Sequence, residues 1–401
     1  MSKKKIAIFC GGRGSQYITR EALRRSDIDL TLLVNAYDDG LSTGMLRALV
    51  PGMLGPSDFR KNLSYLLRLY SPMQLSLQKL IEYRFPLNFG VAGFEAIRGY
   101  VAGDDAAMPE SWRKIHSETG RDKQADIRAY VATFCTYLQK KGMEFDFSDC
   151  SFGNILFAGI YLSCGENFNT ASGLLSALVD ADGHLVNVSK GEDRTLTAIK
   201  ADGQILSRES EVVGKQSKER IVEIFFTEHP VTRETAAQLQ SYTLEDKIAW
   251  FNQHSLTCEI SDECRAAILE ADAIIYGPGT QHSSLLPSYM IAGETIRQSK
   301  AIKIFVANLH YDHDIYGLSV NDLVERALHY LGDADNSGKS IDYVLANKPY
   351  EIREDSVLLL PVDDVRPSEL FGARVLYEQF CSPADPNIHS GFAVVSCCKN
   401  L

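Results

Sequence analysis

Residues 5–40 read KIAIFCGGRGSQYITREALRRSDIDLTLLVNAYDDG, and their pattern decides the fold class. KIAIFC (5–10) is a continuous apolar run without alternation, which suits a strand covered on both faces. GGRGS (11–15) interrupts it, YITREALRRS (17–26) has helical spacing, and DLTLLVNAY (29–37) is a second strand of the same kind. Strand, helix and strand in succession imply parallel pairing through a right-handed crossover. Both strand ends then open on one edge of the sheet, where ligands of open α/β folds bind. The second end carries more charge than a reversal needs. One Asp or Asn and a glycine suffice for a turn, yet DDGLSTG (38–44) offers Asp38, Asp39, two glycines and the hydroxyls of Ser42 and Thr43.

The same rhythm resumes far along the chain. SDECRAAILEADAIIYGPGTQHSSLLPSYM (261–290) reads as a helix with Ser261 at its N-cap, a strand AIIY and another glycine loop. AIKIFVANL (301–309) is a further buried strand, and SVNDLVERALHYLG (319–332) a further helix. Between these halves, residues 58–84 look helical. Residues 86–150 read as an inserted helical segment that includes the amphipathic stretch 121–142, and FGNILFAGIYLSCG (152–165) reads as a buried helix. Residues 178–230 form a β-rich excursion, with TLTAIKADGQILSRES (195–210) a hairpin turning at Asp202-Gly203. The expectation is one large α/β unit over 1–401, with a doubly wound, mainly parallel sheet carrying the helical insertion and the β-rich excursion.

With 401 residues, 45% hydrophobic and 23% charged, the chain has the make-up of a globular protein with a substantial core. Its apolar runs, such as ILFAGIYL (155–162), fall short of the roughly 20 residues that span a bilayer. The apolar part of MSKKKIAIFC is also too short for a signal peptide. A cytoplasmic location without a membrane partner is expected. A net charge of −11, from 41 basic and 52 acidic side chains, speaks against general nucleic-acid binding. Nine cysteines, an odd number without CxxC spacing, point to reduced thiols. The adjacent Cys397 and Cys398 are expected in a frayed C-terminus.

Glycine loops carry the candidate chemistry. In GGRGS, the glycines Gly11, Gly12 and Gly14 let backbone N–H groups approach an anion at a helix N-terminus, and Arg13 adds a full charge. A tight βα turn is the plainer alternative, since neither GxGxxG nor the Walker pattern is present. GPGTQHSSLLP (277–287) makes a rigid bend at Gly277 and Gly279. It brings Thr280, Ser283 and Ser284 to a segment entering a helix, which suits phosphate oxygens. His282 is a phosphate contact, a proton shuttle, or a loop histidine with neither role. Asp38 and Asp39 repel each other unless a cation offsets them. Mg²⁺ shared with ligand phosphates is the natural candidate, because that ion favours one or two carboxylates plus phosphate oxygens. PSDFRKN (56–62) adds Asp58 and Arg60, either as functional groups or as an N-cap with a surface charge. NLHYDHD (308–314) holds H-x-x-H without a third ligand at standard spacing, so a solvated loop is expected there ahead of a metal site.

Taken in order, these motifs resemble the superfamily of the 2-phospho-L-lactate transferases (CofD-like) and the gluconeogenesis factors (YvcK-like), the class named uncharacterised protein family 0052. The YvcK-like pattern runs GGGTG, DDGGSSGRLR, PPGDIRN, QYRF, SVGN, GPGS…TSILP and NLM. This chain reads GGRGS, DDGLSTGMLR (38–47), GPSDFRKN (55–62), EYRF (82–85), SFGN (151–154), GPGTQHSSLLP and NLH (308–310) in the same order. The likeness spans most of the chain apart from 86–150 and the C-terminal end, and it is closer to the YvcK-like branch. It implies a Rossmann-like fold and a nucleotide or nucleotide-sugar whose phosphates lie over the glycine loops. By this resemblance Gly11, Gly12, Asp38, Asp39, Ser42, Asp58, Asn154, Gly277, Gly279, Thr280 and Asn308 are site positions. Arg13, Gly14, Arg60 and Ser283 join them from the reading of the loops. Two departures stand out. Arg13-Gly14 replaces Gly-Thr, and Lys61 stands at the Asn of PPGDIRN unless Asn62 takes that role.

Two functions follow from the resemblance. One is a CofD-like transferase forming a phosphodiester, in which an alcohol attacks phosphorus. There Mg²⁺ on Asp38 and Asp39 neutralises developing charge, with Asp38 and Asp58 as catalytic residues. The other is a non-catalytic, YvcK-like binder of UDP-sugars that regulates carbon or cell-wall metabolism through a protein partner. A homodimer is expected in either case.

Overall fold

The computed structural model describes residues 2–214, 219–348 and 368–401. Its strands are β1 (Lys4–Phe9), β2 (Ile28–Val34), β3 (His184–Asn187), β4 (Thr195–Lys200), β5 (Ile205–Leu206), β6 (Ile221–Thr227), β7 (Ala273–Tyr276), β8 (Ile302–Val306), β9 (Tyr343–Asn347), β10 (Glu369–Leu370) and β11 (Ala373–Glu378). The first nine α-helices are α1 (Gln16–Arg24), α2 (Leu41–Leu49), α3 (Ser57–Tyr65), α4 (Pro72–Glu82), α5 (Gly93–Val101), α6 (Glu110–Ser117), α7 (Arg121–Lys141), α8 (Phe152–Ser163) and α9 (Phe168–Leu178). They are followed by α10 (Glu209–Val213), α11 (Arg233–Leu239), α12 (Leu244–His254), α13 (Asp262–Glu270), α14 (Leu286–Gln298), α15 (Val320–Tyr330) and α16 (Gly391–Asn400). Contacts divide the chain into two compact units, one of Met1–Tyr37 with Val186–Leu401 and one of Asp38–Leu185.

The first unit is built on an eight-stranded sheet in the order β10-β11-β9-β8-β7-β1-β2-β3. β1 pairs in parallel with β2 and β7, and the parallel run continues through β8 and β9 to β11. β10 lies antiparallel on β11. This is the doubly wound, Rossmann-like arrangement expected. The chain winds from β1 toward β2, then later from β7 toward β8 and β9, so the direction reverses between β1 and β7. Ligands of such sheets bind at that reversal, beyond the carboxyl ends of the strands. Phe9 and Tyr276 are register partners, so the two glycine loops that follow start side by side. Both strands are apolar because both faces are covered: Ile6 to Phe9 and Ala273 to Tyr276 are all buried. The Phe9 ring lies 5.8 Å from that of Tyr276 and 5.5 Å from that of Tyr289 on α14. Such ring pairs are worth roughly 0.5–1.5 kcal/mol each beyond their burial, and they fix the floor under the loops.

The β-rich excursion forms a separate three-stranded antiparallel sheet, β5-β4-β6, with Lys200 N–H donating to Gln204 O at 2.9 Å across the Asp202-Gly203 turn. Ile199, Phe225, Leu239 and Phe251 form its core. At the chain's end the frayed segment expected from sequence is instead α16. Its Val394, Val395 and Cys398 are buried, and Arg25 donates to Ser396 Oγ at 2.8 Å. All nine cysteines are free thiols.

The second unit is built of helices. Every residue from Phe152 to Tyr161 of α8 is buried, as expected of a helix apolar on all sides. The segment 86–150 contributes α5, α6 and α7, and the helical unit extends beyond it at both ends. DDGLSTG is not all loop: the turn ends at Gly40, and Ser42 and Thr43 fall in the first turn of α2. Among the described residues no helix is long and apolar enough to cross a membrane.

Candidate functional site

The loops after β1, β7 and β8, joined by residues 387–389, enclose a cavity of about 490 Å³ at the switch point. Gly12, Arg13, Gly14, Gly279, Thr280 and Asn308 are on its wall. That volume lies in the range of small-molecule sites. α1 begins directly after GGRGS and has no acidic residue in its first turn. The partial positive charge of its N-terminus is therefore not offset within the helix, and the exposed Arg13 adds a full charge.

The loops meet only because Gly14 has no side chain. A Cβ there would stand 2.2 Å from the Pro278 carbonyl oxygen and 2.7 Å from Gly279 Cα. Gly279 itself has φ of +155°, a conformation that L side chains rarely adopt. Asn308 holds this loop. Its Nδ2 donates to Gly279 O at 2.9 Å, and its Oδ1 accepts from Gly279 N at 3.4 Å and from Gln281 Nε2 at 3.0 Å. The side chain thus imitates a backbone partner. Thr280 Oγ1 lies 2.9 Å from Ser284 Oγ. The other loop candidates stand behind the wall. Gly11 packs on Ser284, Gly277 packs on the Phe9 carbonyl, and the Ser283 hydroxyl is buried without a partner among the described residues.

Sequence reasoning set Asp314 in a solvated loop and missed its role as a cap. Its carboxylate accepts from the N–H groups of Gln281 and His282, the latter at 2.9 Å, and so caps the π-helical turn Gln281–Leu285 ahead of α14. Helical starts leave N–H groups without partners, which is why this acid goes inside where a solvated loop was expected. His282 is fully buried, with Nδ1 2.9 Å from the Asp314 carbonyl oxygen, and does not line the cavity. Asp312, on the wall, accepts from the N–H groups of Asp314 and Ile315 at 3.0 Å each. Burial, reinforced by the charge of Asp314, pushes its carboxyl up to about 6. Burial pushes His389 down to about 4, and its Nε2 lies 3.1 Å from Ala307 O. That ring is neutral at pH 7. The sequence signal for this shell was the acid-rich NLHYDHD directly after a strand.

In the helical unit the remaining candidates gather around the N-termini of α2, α3 and α8. Asp38 Oδ1 accepts from Gly40 N–H at 2.9 Å and caps the turn. Burial, and after it the charge of Asp58, raises the Asp38 carboxyl above the ordinary range. Asp58 Oδ1 accepts from Lys61 Nζ at 2.8 Å, and the attraction of Asp58, countered by burial and helped by Asp38, raises the lysine. Arg60 is buried. Its Nε donates to Asn154 Oδ1 at 3.0 Å, and Asn154 Nδ2 donates to Ser57 Oγ at 3.2 Å. The two residues brace α3 against α8. Ser42 is buried beside Cys150, whose thiol burial pushes up to about 12. Asp39 is half-buried. Among the described residues no group of three or more His, Cys, Asp and Glu is arranged to hold a metal ion.

Residues 6–359 match the family described as 2-phospho-L-lactate transferase CofD. A protein of Thermoanaerobacterium thermosulfurigenes is 26% identical over 360 residues, covering 87% of this chain and 80% of its own. The gluconeogenesis factor of Bacillus subtilis is 23% identical over 393 residues, covering 94% of this chain and 91% of its own. A crystal structure of a upf0052-family protein from Bacillus halodurans superposes with a TM-score of 0.66 at 19% identity, covering 100% of each chain, and so shares the fold.

Proposed function

We propose that this chain, which belongs to the CofD family, binds a nucleotide or nucleotide-sugar in the cavity at the β1–β7 switch point. The observation that carries the reading is the contact of Gly14 with Pro278 and Gly279. It joins two glycine loops above a helix N-terminus, with Arg13 of the first loop on the wall. Backbone N–H groups, a helix dipole and a guanidinium together form a cradle for phosphate oxygens. Arg13, the loop amides and the Thr280 hydroxyl are the groups of this wall that would meet the anion.

Mg²⁺ enters as a proposed cation of the helical unit, where the adjacent carboxylates of Asp38 and Asp39 would hold it. Burial and then the charge of Asp58 raise the Asp38 carboxyl, and a cation there would offset both. Lys61 competes for the place, because its ammonium is bonded to Asp58. That pairing favours ligand binding without turnover, the YvcK-like alternative; the Bacillus subtilis relative bears the name gluconeogenesis factor. The phosphodiester-forming transferase of the family description is the second reading. It is supported by Asp38, whose raised pKa suits a proton acceptor for an attacking alcohol.

Calorimetric titration with GDP, UDP, UDP-sugars and nicotinamide dinucleotides, with and without EDTA, tests the reading. Binding at one site by a nucleotide or nucleotide-sugar is expected, with about 2.7 kcal/mol of added stability at a hundred times Kd. Binding of nicotinamide dinucleotides alone would overturn it. Release of a nucleoside monophosphate from the bound nucleotide in Mg²⁺ would decide for the transferase.

A further inference from the structure

The amino-terminal edge of the main sheet, remote from the glycine loops, carries a second concave feature. Lys300, Lys303, Lys339 and Arg374 line a cleft of about 450 Å³ together with Asp342 and Tyr343. Lys303 is the second residue of β8, Tyr343 the first of β9 and Arg374 the second of β11. Asn308 lies five residues beyond Lys303, past the opposite end of the same strand, which is roughly 17 Å away at strand rise.

Four cations face one carboxylate here, in a chain whose net charge is −11. The carboxylate is already engaged, as Asp342 Oδ2 accepts from Lys303 N–H at 2.8 Å. Lys303 is only 5% exposed, and its ammonium donates to Ser299 O at 2.8 Å. An ammonium has three donors, so Lys303 keeps others for a ligand, and burial disfavours its charge unless an anion offsets it. Lys339 holds a left-handed backbone, φ +51°, which is uncommon for residues other than glycine. Among the described residues none of the four side chains forms an ion pair.

We propose that this cleft is a second anion site that takes a small molecule bearing two phosphate groups. Arginine offers a planar fork for phosphate oxygens, and lysines bind them as point charges. The excess of three positive charges over negative ones matches a bisphosphorylated or pyrophosphate group better than a single carboxylate. The site is independent of the glycine-loop cavity.

Inorganic pyrophosphate titrated calorimetrically at low salt tests this. Lys339 and Arg374 are exposed, so the double variant Lys339→Ser with Arg374→Ser should fold like the wild type. The wild type should bind pyrophosphate, and the double variant should lose about tenfold or more, or 1.4 kcal/mol at tenfold. Unchanged affinity in the double variant, or no binding at millimolar pyrophosphate, would each overturn the proposal. Competition by a sugar bisphosphate against a nucleoside diphosphate then separates two sources of the same chemistry, and displacement by either supports the site.

Discussion

Replacing Gly14 by alanine should pry the two glycine loops apart. The new Cβ would sit 2.2 Å from the Pro278 oxygen, 2.6 Å from its carbonyl carbon and 2.7 Å from Gly279 Cα. Ordinary contact begins near 3.4 Å, so the loops must separate by about 1 Å. All three atoms are backbone, and Asn308 pins Gly279 by both of its amide groups, so no side chain can swing away to relieve the clash. Overpacking of this kind costs about 1–3 kcal/mol, and a 2 kcal/mol loss lowers the folding constant roughly 30-fold. A cradle opened by about an ångström should also lose tenfold or more in nucleotide affinity. Urea unfolding followed by circular dichroism gives the first quantity and calorimetry the second. Gly173→Ala on α9 is the control. A Cβ there meets open space, so that variant should gain about 0.5–1 kcal/mol as a helical alanine does. Wild-type stability and affinity in Gly14→Ala would refute the proposed loop contact and the cradle built on it.

Four further substitutions separate the parts of the site. Asn308→Ala should cost about 1–2 kcal/mol by leaving the Gly279 amide groups unpaired. Asn308→Asp, which adds a negative charge beside the cradle, should weaken nucleotide binding more than the alanine does. Lys61→Ala should strengthen Mg²⁺ binding measured by calorimetry, and without metal it should cost about 1 kcal/mol for the lost ion pair; an unchanged Mg²⁺ affinity would remove the metal from Asp38 and Asp39. As pH falls through about 6, Asp312 takes up its proton and the cavity wall loses a negative charge. Nucleotide-sugar affinity should therefore rise with acidity in the wild type and change less in Asp312→Asn. Parallel pH profiles for the two proteins would exclude that role.

The strands that frame the site were legible because their burial is written locally. KIAIF and AIIY are apolar without a break, and each is followed by glycines. Their adjacency was not legible from composition or spacing, since the partners Phe9 and Tyr276 lie far apart in sequence. The same limit hid what the site residues do. The amide of Asn308 is spent on Gly279, and Asp314 turns inward to cap a helical start. Arg60, read as an acid's neighbour at a helix mouth, is buried against Asn154. In each case the partner comes from another element, and the residue type alone does not say which. The adjacent carboxylates are the instructive exception. An Asp two residues before a glycine marks a turn cap, and Asp38 serves as one on Gly40. Its second role depends on Asp58 and Lys61, which approach it only once α2 and α3 are in place.

The most direct measurement is amide hydrogen exchange on the full chain, free and saturated with the nucleotide or nucleotide-sugar that binds best. Slowed exchange at residues 11–15 and 277–281 is expected, since the backbone N–H groups there would hold the phosphates. Saturation with unchanged exchange in both segments, and protection only elsewhere, would contradict the assignment of this cavity as the polyanion site.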